Sequence, residues 1–187
     1  MEIKNKTNNF REENILEGEK NNFGAWSTIL SLDLGTTTGW AIRHGYGIDS
    51  GSIAFKPTRF EGGGMRYLRF QRWLDNTLKN VGRIDEIYFE EVRRHLGVDA
   101  AHAYGGFLSH LTAWCEVHEI PYQGVPVGTI KKFLTGRGNA SKAEMIREVR
   151  MSGYYPKDDN EADALALLRF AVHTSSATKK RLAGGKA

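Results

Sequence analysis

Apolar residues in Ile29-Leu30-Ser31-Leu32-Asp33-Leu34 run up to a carboxylate, and the Gly-rich stretch Gly35-Thr36-Thr37-Thr38-Gly39 follows before Trp40-Ala41-Ile42 resumes the apolar pattern. Short apolar runs around a glycine turn predict two paired strands, over about 28–34 and 39–44. A third strand is predicted from about 46 to 55, where Ile48, Ser50, Ser52 and Ala54 alternate with Asp49, Gly51, Ile53 and Phe55. Its glycines mark it as a bulged or edge strand. Arg59 to Gly64 is a loop, and Tyr67, Phe70, Leu74, Leu78 and Val81 then recur at helical steps until Gly82. Arg66, Arg69, Arg72 and Lys79 lie off that stripe, as solvated helix surface. A fourth strand follows from Ile84 to Val92, then a helix over 98–119 with Ala and Gly in its early turns, then a short fifth strand, Tyr122 to Val125. A short helix is expected from Thr129 to Leu134, and Ser141-Lys142-Ala143-Glu144 opens another as a capping box. The last helix is expected from about Asp158 to His173.

The length, 187 residues, suits one domain with a real core, and 40% apolar residues fit a globular protein. We divide it into a polar extension over 1–27, a folded domain over 28–173, and a basic flexible tail over 174–187 containing Lys179-Lys180-Arg181. The net charge of +4 is only modestly basic. The segment with Lys131, Lys132, Arg137, Lys142, Arg147 and Arg150 opposes them with only Glu144 and Glu148. A phosphate-tracking surface and a plain solvated helix pair both fit that balance. Cys115 is the sole cysteine, which excludes intrachain disulfides and cysteine-rich zinc sites and leaves it as helix core. No apolar run reaches membrane-spanning length and no secretory leader is visible, so a cytoplasmic protein without membrane contact is expected.

Asp33 changes the picture, because a lone charge inside a sheet costs several kcal/mol unless it is paired or binds a metal. The competing reading makes it a turn former, accepting from the Gly35 and Thr36 amides. The fourth strand ends in Glu90-Glu91, which face opposite sides; Ile87 and Phe89 mark one face, Tyr88 and Glu90 the other. On the last helix, Asn160 and Asp163 are three apart and Asp159 and Asp163 four apart, so each pair shares a face. Asp158, Asp159 and Glu161 also suit a helix N-terminus as such, whereas Asp163 lies beyond the first turn among Ala and Leu. If the first and fourth strands are neighbours and this helix crosses them, Asp33, Glu90 and Asp163 converge. Hard oxygen ligands select Mg²⁺ or Mn²⁺, and two such ions roughly 3.5–4 Å apart are a known arrangement for phosphodiester hydrolysis. No Ser-His-Asp or Cys-His arrangement presents itself, and the histidines lack zinc spacing.

The hairpin Leu32-Asp33-Leu34-Gly35-Thr36-Thr37-Thr38-Gly39-Trp40-Ala41 resembles the opening of RuvC-type Holliday junction resolvases, members of the ribonuclease H-like superfamily. Phe89-Glu90-Glu91-Val92, the basic stretch from Val125-Pro126 to Ser141-Lys142, and Glu161-Ala162-Asp163-Ala164-Leu165-Ala166 are similar to three further motifs of that family, in the same order over about 28–173. Short resolvases of phage and prophage origin have similar shapes. The resemblance implies an α/β fold with a five-stranded mixed sheet, three strands antiparallel and the rest parallel, flanked by helices. It implies a homodimeric nuclease that resolves branched DNA, four-way junctions above all, with two Mg²⁺ or Mn²⁺ ions per site. Asp33, Glu90 and Asp163 would then be metal ligands and catalytic, with Lys131 and Lys142 at the scissile phosphate and Lys132 and Arg137 along the DNA. Two positions depart from the family. Its fourth acidic or histidine ligand falls on Asn160, so either the Asn160 amide oxygen or Asp159 completes the set. Its aromatic wedge after Val92 is replaced by Arg93-Arg94-His95, which points to phosphate or flipped-base contacts at Arg93 and Arg94. Asp33-Leu34-Gly35-Thr36-Thr37 also resembles the phosphate hairpin of sugar kinase- and chaperone-type ATPases, although no second such hairpin is present. A non-catalytic branched-DNA-binding module is the third reading, which the Asn160 substitution keeps open.

Overall fold

The computed structural model describes residues 27–45, 47–92 and 97–184, with side chains as far as Ser175. Its strands are β1 (Ile29–Asp33), β2 (Thr37–His44), β3 (Gly47–Ala54), β4 (Glu86–Glu91) and β5 (Tyr122–Pro126). Its helices are α1 (Met65–Val81), α2 (Val98–Val117), α3 (Val127–Thr135), α4 (Lys142–Met151) and α5 (Asp159–Gly184). The strands form one sheet in the order β3-β2-β1-β4-β5. β1 and β3 run antiparallel to β2, while β1, β4 and β5 are mutually parallel along the sheet. The mixed five-stranded sheet expected above is therefore present, with β3 on an edge.

Period-2 alternation sends the two faces of each strand into separate cores. Leu30, Leu32, Leu34, Ile87 and Phe89 pack with Phe70 and Leu74 of α1 and with Phe107, Leu111 and Trp114 of α2. Cys115 is fully buried in that same layer, as helix core. On the other face, Ile29, Ala41, Tyr88 and Val125 meet Ile130 of α3, Met145 and Val149 of α4, and Ala164, Leu165 and Leu168 of α5. From Ala162 to Leu168, every residue of α5 but Asp163 is at most 1% exposed. A helix buried nearly all round must lie between layers, and α5 touches β1, β2, β3, β4, α3 and α4. Its small Ala side chains let it lie close to the sheet.

Two elements extend beyond their expected limits. β2 begins at Thr37 rather than Gly39, because the Thr38 hydroxyl donates to the Gly35 carbonyl at 2.8 Å and closes the turn early. α5 continues to Gly184 instead of ending near His173. The Ser175 hydroxyl, 5% exposed, donates to Glu86 at 2.9 Å and docks this second half against the start of β4. The sequence offered no glycine or proline to stop the helix at His173, so the backbone of the expected tail is helical through Gly184. The 1–26 part of the polar extension lies outside the described residues.

Candidate active site

Leu30 and Leu32 fill the α1/α2 layer, so the alternation turns Ser31 and Asp33 toward α5. The same parity places Phe89 with α1 and α2 and Glu90 on the face of Tyr88. Leu32 pairs with Phe89 in the parallel β1–β4 ladder, and Asp33 and Glu90 stand one residue beyond it on adjacent strands. Of the two adjacent glutamates, Glu90 is thus the one on the Asp33 face, and Glu91 lies against Gly124 of β5.

Asp163 is brought in by a close helix-on-strand contact. Gly39 lies opposite Asp33 in the β1–β2 ladder, and a Cβ built there would sit 1.9 Å from the Asn160 carbonyl oxygen. Only a residue without a side chain lets the first turn of α5 come so near β2. Asp163 follows Asn160 by one turn. Two other carboxylates secure that turn. The Asp158 side chain caps α5 by accepting from the Glu161 amide at 2.9 Å, and accepts a short hydrogen bond from the Ser52 hydroxyl. Glu161, 4% exposed, accepts from the Ser50 hydroxyl at 2.7 Å and the Lys157 amide at 2.8 Å. Both therefore fix α5 to β3 and play the helix-terminal role.

The three remaining carboxylates are coupled electrostatically. Burial pushes Asp33 up from 3.8 to about 7; the Asp163 charge adds to the rise, and Lys142 opposes it. Burial pushes Glu90 up from 4.5 to about 8, reinforced by Asp33 and Asp163 and opposed by Lys131 and Lys142. Asp163 is raised by burial as well, with Lys142 and Lys131 pulling it back and Asp159 pushing further. Among the described residues, none of the three carboxylates has a hydrogen-bond or ion-pair partner. A group of half-buried, mutually repelling, unpartnered carboxylates is destabilising unless cations answer it. The donor set, all hard oxygens, fits Mg²⁺ or Mn²⁺. The carboxylates do not close on a point by themselves: among the described residues, no three His, Cys, Asp or Glu side chains form a ready metal cage.

The basic residues divide. Lys131 and Lys142 act on the carboxylates, and Lys142 also pairs with Asp159 at 3.0 Å, a contact that raises its pKa. Of the two candidates for a fourth ligand, Asp159 thus has its carboxylate on Lys142, while Asn160 lies against Gly39 beside Asp33. Arg137 is drawn to Glu144, and Lys132 is exposed. The expected capping box of Ser141 and Glu144 is present and starts α4 so that Lys142 is its first residue. Arg93 and Arg94 lie outside the described residues.

Two contributors escaped sequence reasoning. In the sequence alone Gly39 is one glycine of a Gly-rich turn. Tyr104, buried in α2, donates its hydroxyl to the Glu90 carbonyl at 2.9 Å and accepts from the Val92 amide at 3.2 Å, clamping the strand end that carries Glu90. Its one sequence signal was a tyrosine amid the small residues of early α2.

Neither a family model nor a curated protein sequence matches the chain. Solved structures do. Thermus thermophilus RuvC in complex with a Holliday junction substrate superposes with a TM-score of 0.69 at 22% identity, covering 82% of this chain and 98% of that one. Another T. thermophilus RuvC structure gives 0.65 at 21%, covering 81% and 98%. The yeast mitochondrial Holliday junction resolvase Ydc2 gives 0.54 at 14%, covering 75% of each chain. The chain, with its mixed five-stranded sheet and flanking helices, thus has the fold of these RuvC-type Holliday junction resolvase structures.

Proposed function

We propose that this protein is a Mg²⁺-dependent, structure-selective endonuclease that nicks branched DNA, four-way junctions above all, and works as a symmetric homodimer. The observation that carries the reading is the shared electrostatics of Asp33, Glu90 and Asp163 on β1, β4 and α5. All three are raised in pKa, Asp163 raises Asp33, both raise Glu90, and among the described residues none of the three carboxylates has a hydrogen-bond or ion-pair partner. The fold likeness to RuvC in complex with a junction supports the choice of substrate. Opposed cuts across a two-fold junction call for two sites related by a two-fold axis, hence the dimer.

In this reading Asp33, Glu90 and Asp163 hold the metal, with the Asn160 amide oxygen completing the set. Mg²⁺ or Mn²⁺, two ions when fully loaded, would lower the pKa of the attacking water and stabilise the departing 3′ oxygen. Lys131 and Lys142 hold the scissile phosphate, and Asp159 keeps Lys142 aimed at it. Lys132, Arg137, Arg93 and Arg94 contact the flanking backbone, so affinity is largely electrostatic and falls with salt. Selection rests on junction shape rather than base edges.

The test incubates labelled four-way, Y-shaped and linear duplex DNA with the protein, in Mg²⁺ and in chelator. Paired nicks in the four-way substrate, dependent on Mg²⁺ and absent from linear duplex, are expected. Binding without cleavage would point instead to a non-catalytic junction binder, and cleavage of linear DNA at the same rate would end the claim of structure selectivity.

A further inference from the structure

The loop between β3 and α1 buries Phe55 in the core, yet it presents Phe60 at 93% exposure. It is also unusually well braced. The Glu61 amide donates to the Thr58 carbonyl at 3.1 Å, which makes Arg59 and Phe60 the two central residues of a tight turn. The Glu61 carboxylate accepts from the Thr58 amide at 2.6 Å and from Arg69 of α1 at 2.7 and 2.8 Å. Arg69 also donates to the Lys56 carbonyl at 2.6 Å, tying the incoming strand to the same guanidinium. Arg69 is thus a clamp rather than the free helix surface its spacing suggested. The Arg59 guanidinium stands 5.9 Å from the centre of the Phe60 ring.

The turn lies at the catalytic end of the sheet. Ala54, the last residue of β3, pairs with Thr37, and the Phe55 amide donates to the Thr36 carbonyl at 2.9 Å. Thr36 belongs to the turn that leaves Asp33. A lone exposed ring at that edge, fixed by its own turn and flanked by the exposed cations Lys56 and Arg59, does not make the contiguous apolar patch of a protein interface. It does match a base beside its phosphates, since every base offers a π-face and every phosphate a charge.

We propose that Arg59-Phe60 is a base-stacking finger, with Phe60 covering an unpaired or splayed base at the branch point and Arg59 meeting the adjoining phosphate. The inference rests on the branched-DNA reading and adds to it the residue that senses the unstacked base. Because the ring is presented by a pre-formed turn, little ordering is needed when DNA arrives.

The test uses the full chain in chelator, a four-way junction carrying 2-aminopurine at the branch, and a matched linear duplex. Phe60→Leu keeps apolar bulk without the ring, and Phe60→Trp keeps a ring. Leu is expected to weaken junction binding about tenfold and to remove the 2-aminopurine response, with linear-duplex affinity and urea midpoint unchanged. Trp is expected to retain both. Junction affinity and fluorescence response in Phe60→Leu equal to wild type would overturn the finger while leaving the nuclease reading intact. So would a Leu variant whose only change is loss of self-association in sedimentation. A wild-type protein that does not prefer the junction over duplex would instead overturn the reading beneath both.

Discussion

Replacing Asp33 by Asn should make the metal-free protein more stable while removing its chemistry. In the folded chain the Asp33 pKa stands at about 7, against 3.8 for the unperturbed group, chiefly through burial. Below about pH 4 the carboxyl is protonated in folded and unfolded chains alike, and no penalty exists. Between about pH 4 and 7 the folded state keeps a proton that the unfolded state has released, so stability falls as pH rises; above 7 the deficit is constant. At 1.36 kcal/mol per pKa unit, the ceiling is about 4 kcal/mol. Part of it belongs to the coupling with Asp163 and Glu90, and the buried amide must find its own partners, so a gain of about 2 kcal/mol is expected at pH 8.5. That corresponds to roughly 4–8 °C in Tm for a chain of this length. Urea melts in chelator at pH 5 and pH 8.5 measure it: the advantage of Asp33→Asn should widen with pH. In parallel, Mg²⁺ should raise the midpoint of the wild type much more than that of the variant, and the variant should bind junctions without cutting them. A variant less stable than wild type at pH 8.5, or a difference that ignores pH, would refute the claim that Asp33 is held at an electrostatic cost.

Three further substitutions probe the frame around that carboxylate. Gly39→Ala places a methyl against the Asn160 carbonyl, so α5 must retreat; a loss of about 1–3 kcal/mol in urea melts and loss of cleavage are expected. Asn160→Asp adds an acidic oxygen donor where the amide stands and should tighten Mg²⁺ binding in calorimetry, with cleavage kept or raised; complete loss of cleavage would transfer the ligand role to Asp159. Tyr104→Phe leaves the Glu90 carbonyl and the Val92 amide without their shared hydroxyl, and should cost about 1–2 kcal/mol. Its effect on cleavage should fall on kcat while junction Kd stays constant, since the hydroxyl positions Glu90 and touches no DNA in this account.

What could be read along the chain and what could not divide by the range of the interaction. The alternation in Ile29–Asp33 and Glu86–Glu91 separates Asp33 from Leu32 and Glu90 from Glu91 before any fold is known, because a strand has only two sides. That Asp33 and Glu90 share a face follows only from the β1–β4 pairing. The capping box at Ser141 is equally local, as both of its partners lie within four residues. The second half of α5 shows only the lack of a stop signal in the sequence; what docks it, the hydrogen bond from Ser175 to Glu86, spans 89 residues. Gly39 and Asn160 are likewise 121 positions apart, and nothing about a glycine in a threonine-rich turn announces the helix that will lie on it. The acidic cluster at the start of α5 shows the same division within four residues. Asp158, Asp159 and Glu161 looked interchangeable as helix-start charges, yet β3 takes two of them through Ser52 and Ser50, and Lys142 takes the third. Among the described residues Asp163 is left without a hydrogen-bond or ion-pair partner, and its charge falls on Asp33 of β1 and Glu90 of β4. The elements of this fold are thus specified largely locally, while which acidic side chain of α5 is left for the proposed metal site depends on which of its neighbours are satisfied elsewhere, and a substitution that freed Asp159 from Lys142 would be expected to blur that distinction.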